Sequence, residues 1–321
     1  MSRIKLWLLA AIAASRLATG EAKRVPVGGQ AVIEGVLMKG PARWGLAVRR
    51  PTGGIFREHW PNSSRTKRFP WKLPVLRGAV VLCEMMATGF KALSRSAEVA
   101  LEEQEETLTF KDLLIAIAVG IAAVGGLFVA LPLWVAELPG LSPLWTNVLE
   151  GVVRALIFIG YVGVIGLWGD IRRVFCYHGA EHKTINAFES GLEMTPENIL
   201  TCSRIHPRCG TSFLLIAVLV SIAVFSIVGG GSFFRRVVLR VLLLPIVIGT
   251  SYEIIRFAAD SGRLGRIVIA PFLSLQYLTT REPDFGQAEV ALTSLNTAMG
   301  TGDDEEPPEG QPVKESMEDN S

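Results

Sequence analysis

The chain has 321 residues, and its 32 basic and 30 acidic side chains give a formal net charge of +2. Half of the residues are hydrophobic and the mean hydropathy is +0.38, which argues against an ordinary soluble globule and favours a membrane domain with appendages. The segment 302–321 carries eight acidic residues against one lysine, which leaves a charge of +9 on the remainder. Such a basic body suits the cytoplasmic side of an anionic membrane better than nucleic acid, and we find no nucleic-acid motif.

Residues 1–24 form an apolar N-terminal segment whose hydrophobic run, Leu6 to Ala14, is too short for a comfortable membrane span. A basic start followed by a short apolar run is typical of a signal peptide. The alternatives are an interfacial helix or an extension outside the functional fold. The loop charges considered below favour these two, because a cleaved signal would export the domain that follows.

Residues 25–70 are predicted to form a small β-rich domain. Gly45 to Arg50 and Gly54 to Trp60 flank a Pro-Thr-Gly turn, which is typical of a β-hairpin. The glycine-bounded stretch Val27 to Pro41 permits close backbone approach, but it lacks the helix that a phosphate-binding loop requires. His59, in the second strand of the hairpin, is interpreted as a surface or packing residue.

Residues 71–110 are predicted to hold an amphipathic helix and an acidic linker. From Leu73 to Leu101, apolar residues recur at helical spacing and the charged residues fall on other faces. Such a helix either lies on the bilayer surface or packs on the small β domain, and the sequence leaves both alternatives open. The linker follows at residues 102–106.

The membrane domain is predicted to comprise residues 111–258 and to contain about four transmembrane helices. Two of its apolar stretches have no charged residue and two others do, and each is long enough to cross about 30 Å of hydrocarbon. In chain order the four spans are Leu113 to Ala136, Val148 to Gly169, Thr211 to Phe234 and Val237 to Ala258. Glu150 and Arg154 in the second span lie four residues apart and are predicted to pair.

Loop charges predict the orientation of these spans. The loop from Glu137 to Asn147 has no lysine or arginine, whereas the loop 170–210 has five basic residues. The positive-inside rule therefore places both termini and the loop 170–210 in the cytoplasm. Arg235 and Arg236 disagree with this orientation, because they would fall in a short outer turn.

After the membrane domain, residues 259–300 are predicted to form a cytoplasmic segment with a short amphipathic helix from Phe285 to Met299. The composition of residues 301–321 predicts a disordered acidic tail. The predicted fold class is thus mainly α: a polytopic membrane protein with a small N-terminal β-containing domain and an interfacial amphipathic helix.

The loop 170–210 carries the pattern H-x-x-E-H on His178, Glu181 and His182. In a helix the two histidines lie one turn apart on the same face, so that both can bind one metal ion. Glu181 is suited to act as the general base, the role that glutamate takes in inverted zincin motifs. The alternative interpretation is a polar helix start at a membrane surface.

Further candidate ligands are His206 and Cys209, which immediately precede the third predicted span, and Glu253, which approaches the cytoplasmic end of the fourth. The four-span topology brings them to the same membrane face as the H-x-x-E-H pattern. An acid inside a span is a functional hypothesis by default, although a salt bridge from Glu253 to Arg256 is the simpler alternative. For His206 to Cys209 the simpler alternative is an interfacial turn.

The four cysteines show no regular disulfide framework, which fits a reduced compartment. Cys176 is either a fourth ligand or a bystander. Cys202 and Cys209 bracket His206 and allow a zinc-knuckle-like site, although a structural zinc site requires four ligands in closed geometry. Cys83, in an apolar stretch, is interpreted as a packing residue.

Four motifs occur in a fixed order between residues 25 and 298: Val27 to Val36, Tyr177 to Asn186, His206 to Phe213 and Leu278 to Pro283. Together they resemble the YqhQ-like family of bacterial membrane proteins, which are described as predicted metal-dependent enzymes. The resemblance implies a membrane location and a metal site on His178, Glu181, His182, His206 and Cys209. The apolar N-terminal segment and the acidic tail look like departures from the family's common core.

These observations predict a multi-pass protein of the cell membrane, with both termini cytoplasmic and a hydrolase-like activity that depends on a divalent metal, with zinc as the first candidate. His178 and His182 are ligands, His206 or Glu253 is the third, and Glu181 is the general base. The substrate is expected to be lipid-borne or membrane-adjacent, and membrane lipids are expected partners.

The alternative is a non-enzymatic membrane scaffold or assembly factor. Its histidines would be structural, and its β domain and acidic tail would bind protein partners. A transporter is disfavoured, because four spans are few and the sequence contains no repeat.

Overall fold

The computed structural model describes residues 27–101, 110–207, 209–228, 231–261 and 270–301. The apolar N-terminal segment 1–24, the acidic linker 102–106 and the acidic tail beyond Thr301 lie outside the described residues.

Four strands form one antiparallel sheet in chain order: β1 (Gly28–Val32), β2 (Gly35–Lys39), β3 (Arg43–Arg49) and β4 (Ile55–Pro61). The hairpin predicted around the Pro-Thr-Gly turn is confirmed, with Arg49 opposite Ile55. β1 and β2 form a second hairpin inside the glycine-bounded stretch, and Glu34 in its tight turn has a left-handed φ of 51°. Positive φ at the second central residue of a turn is characteristic of type II geometry, and it is uncommon for a residue other than glycine.

The described residues beyond the sheet are mainly helical, as predicted. α1 (Leu76–Ala100) follows the sheet. Next come α2 (Phe110–Gly125), a π-helical turn (Gly126–Ala130) and α3 (Leu131–Glu137), which continue directly into one another. The remaining helices are α4 (Pro143–Ile165), α5 (Gly169–Ser190), α6 (Pro196–Thr201), α7 (Gly210–Val228), α8 (Phe233–Leu242), α9 (Leu244–Asp260), α10 (Gln276–Thr279) and α11 (Phe285–Met299).

Helices cover both faces of the sheet. On one face, side chains from β2 and β3 share a core with Tyr177 and Ala180 of α5 and with Leu295 of α11. A methyl group at Gly45 would lie 2.4 Å from the backbone nitrogen of Ala298, so glycine lets α11 lie directly on β3. This face of the sheet is therefore covered by α11 and by α5, which carries the H-x-x-E-H pattern.

α1 packs on the opposite face of the sheet, which is one of the two positions that the sequence left open. Ala92 and Val99 are buried there against a set of strand residues: Val32, Leu37, Trp44, Leu46 and Val48. The start of α1 packs on α9, since a methyl group at Gly78 would lie 2.7 Å from Cβ of Tyr252. α1 thus connects the sheet to the apolar helices.

Two helical stretches of the described residues are long and apolar enough to cross a membrane, Ala118–Glu137 and Pro143–Ile165. A third is added if α8 and α9, which are bent by 47° relative to each other, act as one span. The apolar part of α7, Phe213–Ile227, is shorter. At 1.5 Å per residue it extends about 22 Å, less than the hydrocarbon thickness. The predicted count of four spans is therefore not confirmed.

A buried charge group joins α4, α7 and α8. Glu150 is 1% exposed and accepts hydrogen bonds from Arg154 at 2.5 Å and from Arg240 at 2.9 Å, so the predicted Glu150–Arg154 pair is confirmed. Arg154 also donates to Ser221 Oγ at 3.0 Å and to the carbonyl of Phe128, in the π-helical turn, at 2.9 Å. These contacts offset the cost of burying charges among apolar helices.

Arg236, whose position disagreed with the orientation predicted from loop charges, forms an ion pair with Glu137. Glu137 ends α3 and Arg236 lies in the first turn of α8. The C-terminal end of α3 and the N-terminal end of α8 therefore lie at one end of the helical bundle.

We expect Glu150→Ala to destabilise the fold by about 3–5 kcal/mol, because it leaves two arginines buried without their shared counter-charge. Thermal unfolding of the purified protein in detergent measures the effect. The matched control is Glu98→Ala, since the Glu98 side chain is 65% exposed and pairs with Arg95 at the surface. We expect that substitution to cost about 1 kcal/mol or less, and equal shifts for the two variants would contradict the account.

Candidate metal centre

α5 places His178, Glu181 and His182 on adjacent positions of one helical face, as the H-x-x-E-H spacing predicts. The imidazole centroids of His178 and His182 are 4.4 Å apart. Glu181 and His182 are almost fully buried, at 4% and 1% exposure. α5 continues to Ser190 and ends at Gly191, which takes the left-handed conformation common at helix C-termini.

Both histidines are oriented by backbone carbonyls from other parts of the chain. His178 Nδ1 lies 2.9 Å from the carbonyl oxygen of Thr279, and His182 Nδ1 lies 2.6 Å from that of Arg204. Because a carbonyl can only accept a hydrogen bond, each Nδ1 carries a proton, and in the neutral imidazole the lone pair is then on Nε2. Metal-binding histidines are commonly held in this way.

Cys209 completes a group of three ligand-type side chains. It directly precedes α7, and its Sγ lies 3.3 Å from His178 Nε2. The ligand atoms of His178, His182 and Cys209 all lie within 4.8 Å of one another. Tetrahedral zinc with nitrogen and sulfur ligands places those atoms about 3.4–3.6 Å apart, so small side-chain rotations bring all three to one ion.

His206 lies beside this group, although its free ring nitrogen does not belong to the set of three. Its ring centroid is 5.8 Å from that of His182, and its buried Nε2 has no hydrogen-bond partner among the residues that the structure describes. The Glu189 carboxylate lies 3.6 Å from this Nε2. Gln276 fixes the backbone of His206 by donating to its carbonyl at 2.8 Å and accepting from its N–H at 2.9 Å.

The structure does not bring Glu253 into the group. Its carboxylate pairs with the guanidinium of Arg77, with Nε donating to Oε1 at 2.5 Å. The simpler alternative named Arg256, which adds an electrostatic attraction to Glu253, but the hydrogen-bonded ion pair is with Arg77. Arg77 comes from the first turn of α1, which packs against α9, and this long-range contact has no signal in the local sequence.

Glu181 lies between the two histidines of α5 and strand β1 of the sheet. Its Oε2 lies 3.8 Å from His178 Nε2. A methyl group at Gly29 of β1 would lie 3.0 Å from Glu181 Cγ, so the glycine allows the strand to cover the carboxylate. Burial raises the pKa of the Glu181 carboxyl above its usual range, although His178 and His206 act in the opposite direction.

Burial also keeps the neighbouring imidazoles neutral. It lowers the pKa of His182, although hydrogen bonds from His182 to Cys209 and to the carbonyl of Arg204 act the other way. It lowers the pKa of His206 as well, against the attraction of Glu181. Neutral imidazole is the form that binds metal, so burial favours the metal-binding form of His182 and His206 at neutral pH.

A strap formed by residues 276–283 crosses α5 and fixes the first histidine. The N–H of Arg281 donates to the carbonyl of Phe175 at 2.8 Å. A methyl group at Gly179 would lie 2.0 Å from the carbonyl oxygen of Arg281, so only glycine permits this approach. The strap thereby places the Thr279 carbonyl against His178, which sequence reasoning missed because a backbone acceptor carries no residue signal.

The loop before α7 is fixed to α5 and to the strap. Asn186 donates to the carbonyls of Ser203 and Ile205, at 2.7 and 3.1 Å. Arg204 donates to the carbonyl of Thr280 at 2.8 Å, and Glu282 pairs with Lys183 at 2.9 Å. These contacts position the Arg204 carbonyl that orients His182.

The remaining candidates serve other roles. The thiol of Cys202 lies 3.6 Å from the carbonyl of Asn198, and neither Cys202 nor Cys176 belongs to the set of three ligand-type side chains. The Glu34 carboxylate accepts hydrogen bonds from Arg173 at 2.6 Å and from the Tyr177 hydroxyl at 3.2 Å. Glu34 therefore attaches the β1–β2 turn to α5 and is not itself among the ligands.

We expect Glu181→Gln to stabilise the metal-free protein at neutral pH. The folded-state pKa of Glu181 is raised, so the protonated carboxyl is favoured in the fold, and this contribution is lost as the pH rises above the ordinary value of 4.5. A neutral glutamine escapes that loss. The unfolding temperature of the variant should exceed that of wild type at neutral pH, and the difference should vanish towards pH 4.5.

The control is Glu193→Gln, an exposed glutamate in the turn after α5. It should leave the pH dependence unchanged. A lower unfolding temperature for Glu181→Gln at neutral pH would show that the ionised carboxylate is well accommodated.

Comparison with known proteins agrees with the resemblance carried by the four motifs. The chain is 35% identical over 298 residues to the uncharacterized protein YqhQ of Bacillus subtilis (strain 168), which covers 85% of this chain and 92% of the Bacillus protein. No solved structure gives a significant match. The model of a family described as a protein of unknown function, DUF1385, matches residues 73–301. The chain therefore belongs to the DUF1385 family.

Proposed function

We propose that this protein is a metal-dependent hydrolase of the cell membrane, with zinc as the first candidate metal. The observation that carries the proposal is the group formed by His178, His182 and Cys209. Its three ligand atoms lie within 4.8 Å of one another, and both imidazoles already donate from Nδ1 to carbonyls. Cys209 replaces Glu253 as the candidate third ligand.

Three protein ligands are the number typical of catalytic zinc sites, which keep one position open for water or substrate. Bound zinc would act as a Lewis acid and supply a nucleophile from water at neutral pH. His178, which is about one-sixth exposed, is the member of the group closest to solvent. We therefore expect the open coordination position of the metal on the side of the group where His178 lies.

Glu181 is the proposed general base. Its carboxylate lies 3.8 Å from His178 Nε2, beside the position that a metal would occupy. Burial raises the pKa of this carboxyl and so brings it closer to neutral pH. A general base transfers protons most effectively when its pKa lies near the operating pH. Its role is to take a proton from the attacking water and to pass that proton to the leaving group.

The substrate is proposed to be a lipid-borne or membrane-adjacent molecule. α7, whose apolar part enters the helical bundle, begins directly after Cys209, and α4 ends shortly before α5. The group thus lies at the end of the bundle opposite the Glu137–Arg236 pair. The basic loop 170–210 favours the cytoplasmic side for this end, with four spans and both termini cytoplasmic.

Metal analysis of the purified protein tests the proposal. We expect about one zinc ion per chain in wild type, and strongly reduced zinc in His178→Ala, His182→Ala and Cys209→Ala. The matched control is His59→Ala, because His59 is an exposed histidine on β4 outside the group. Glu253→Gln should also retain the metal. A metal-free wild type, or unchanged metal content in the three variants, would contradict the proposal.

A non-enzymatic scaffold is the second candidate. The observation that favours it is burial, since His182 and His206 are 1% and 3% exposed and help to join α5, the loop before α7 and the strap. In that case the β domain and the acidic tail would bind protein partners. Complementation of a deletion strain separates the two functions, because Glu181→Gln should be silent for a scaffold and inactive for a hydrolase.

The proposed topology predicts how cysteines react in intact cells. An impermeant thiol reagent should miss Cys176 and Cys202, while a cysteine introduced at Ser142, an exposed residue before α4, should react. Permeabilised cells provide the control, because partly exposed Cys176 should then become accessible. Labelling of Cys176 in intact cells would place the candidate metal centre outside the cytoplasm.

A further inference from the structure

One side of α1 is apolar and uncovered. Positions 76, 83, 86, 90 and 93 fall within about 100° of the helix circumference. They carry the exposed residues Leu76, Cys83, Met86, Phe90 and Leu93, which we call the outer stripe. The interpretation of Cys83 as a packing residue was therefore wrong, because its side chain is exposed on the helix surface. The buried face of α1, with Ala92, Ser96 and Val99, points in roughly the opposite direction, towards the sheet. α1 therefore has two apolar faces, of which the sheet covers one.

The outer stripe borders a groove of about 280 Å³ beside the edge strand β1. Its lining is mostly apolar, and Met86 and Phe90 contribute side chains that are 67% and 59% exposed. A surface of this kind requires a partner, since monomeric soluble proteins rarely leave contiguous apolar patches exposed.

The segment that leads into α1 shows the chemistry of the partner. Residues 65–73 contain four basic and no acidic residues. Phe69, Trp71 and Leu73 lie among these charges and are exposed, with Phe69 at 73%. Interleaved aromatic and basic side chains are typical of the interface between water and an anionic membrane.

The position of this segment relative to the candidate spans agrees with that chemistry. A methyl group at Gly249 of α9 would lie 2.1 Å from the carbonyl oxygen of Val75, so the start of α1 touches α9. The path from Phe233 to Gly249 measures about 24 Å along two helices that bend by 47°, so Gly249 lies in the half of an about 30 Å hydrocarbon layer that is far from Phe233. Val75 and the residues before it thus lie towards that face of the layer.

We propose that the outer stripe of α1 and residues 65–73 bind an anionic membrane surface. Arg65, Arg68 and Lys72 contact lipid phosphates, Phe69 and Trp71 lie among the headgroups, and the outer stripe contacts acyl chains. The sheet, attached to the other face of α1, is thereby held against the membrane. The inference rests on the proposed membrane location and is independent of the metal.

Photo-crosslinking in lipid nanodiscs tests this surface. Full-length protein carries a benzophenone amino acid in place of Phe69, and nanodiscs of phosphatidylglycerol are compared with nanodiscs of phosphatidylcholine. We expect several-fold more lipid crosslinking with phosphatidylglycerol. Combining the probe with Arg68→Glu and Lys72→Glu should abolish that preference, because both residues are exposed and neither packs in the core.

Two control positions separate this inference from the proposed membrane location. Val164 in α4 is 68% exposed within a candidate span and should crosslink lipid in both nanodiscs. Thr52 is exposed in the β3–β4 turn, about 20 Å along β4 from the segment, and should not crosslink lipid. Lipid crosslinking at 164 but not at 69 would overturn the inference and leave the membrane location standing.

Other outcomes at position 69 also overturn the inference. Equal crosslinking with both lipids would show that the surface does not prefer anionic lipid. Crosslinking to a second protein chain would make the surface a dimer interface. Absence of lipid crosslinking at both 69 and 164 would remove the membrane location as well.

Discussion

The hydrogen bond between His178 Nδ1 and the carbonyl of Thr279 joins residues that are 101 positions apart. It forms only because Gly179 lets the strap of residues 276–283 lie against α5, with Arg281 where a side chain would otherwise stand. The same contact presents His178 Nε2 to Cys209. The orientation of His178 in the candidate metal centre therefore depends on the packing of the strap, residues 276–283, against α5.

The strap is itself held from two directions. Beyond it, α11 packs on β3, where Ser294 donates to the carbonyl of Gly45 at 2.9 Å. Within the strap, the side chain of Gln276 accepts a hydrogen bond from the backbone N–H of His206 and donates one to its carbonyl. The sheet, α5, the strap and α11 thus form one packed unit, and Glu181 lies inside that unit under β1. The sequence suggested that the sheet is a separate domain, but its strand β1 packs directly against Glu181 of the candidate site.

Local patterns in the sequence predicted the features that depend on neighbouring residues. The β3–β4 hairpin follows from its turn, α1 from helical spacing, and the approach of His178 to His182 from a separation of one turn. The β1–β2 hairpin was missed because β2 is buried on both faces, so this strand shows no alternation of polar and apolar residues. Glu253 was misplaced because its partner, Arg77, is distant in sequence. The carbonyls of Thr279 and Arg204 were invisible, because any residue supplies a carbonyl.

The account centres on a metal ion bound by two imidazole nitrogens and one thiolate. X-ray absorption spectroscopy of zinc-loaded protein measures those neighbours directly. The account predicts nitrogen at about 2.0–2.1 Å and a single sulfur at about 2.3 Å, with the sulfur contribution lost in Cys209→Ser. A wild-type spectrum that contains only nitrogen and oxygen neighbours would contradict it.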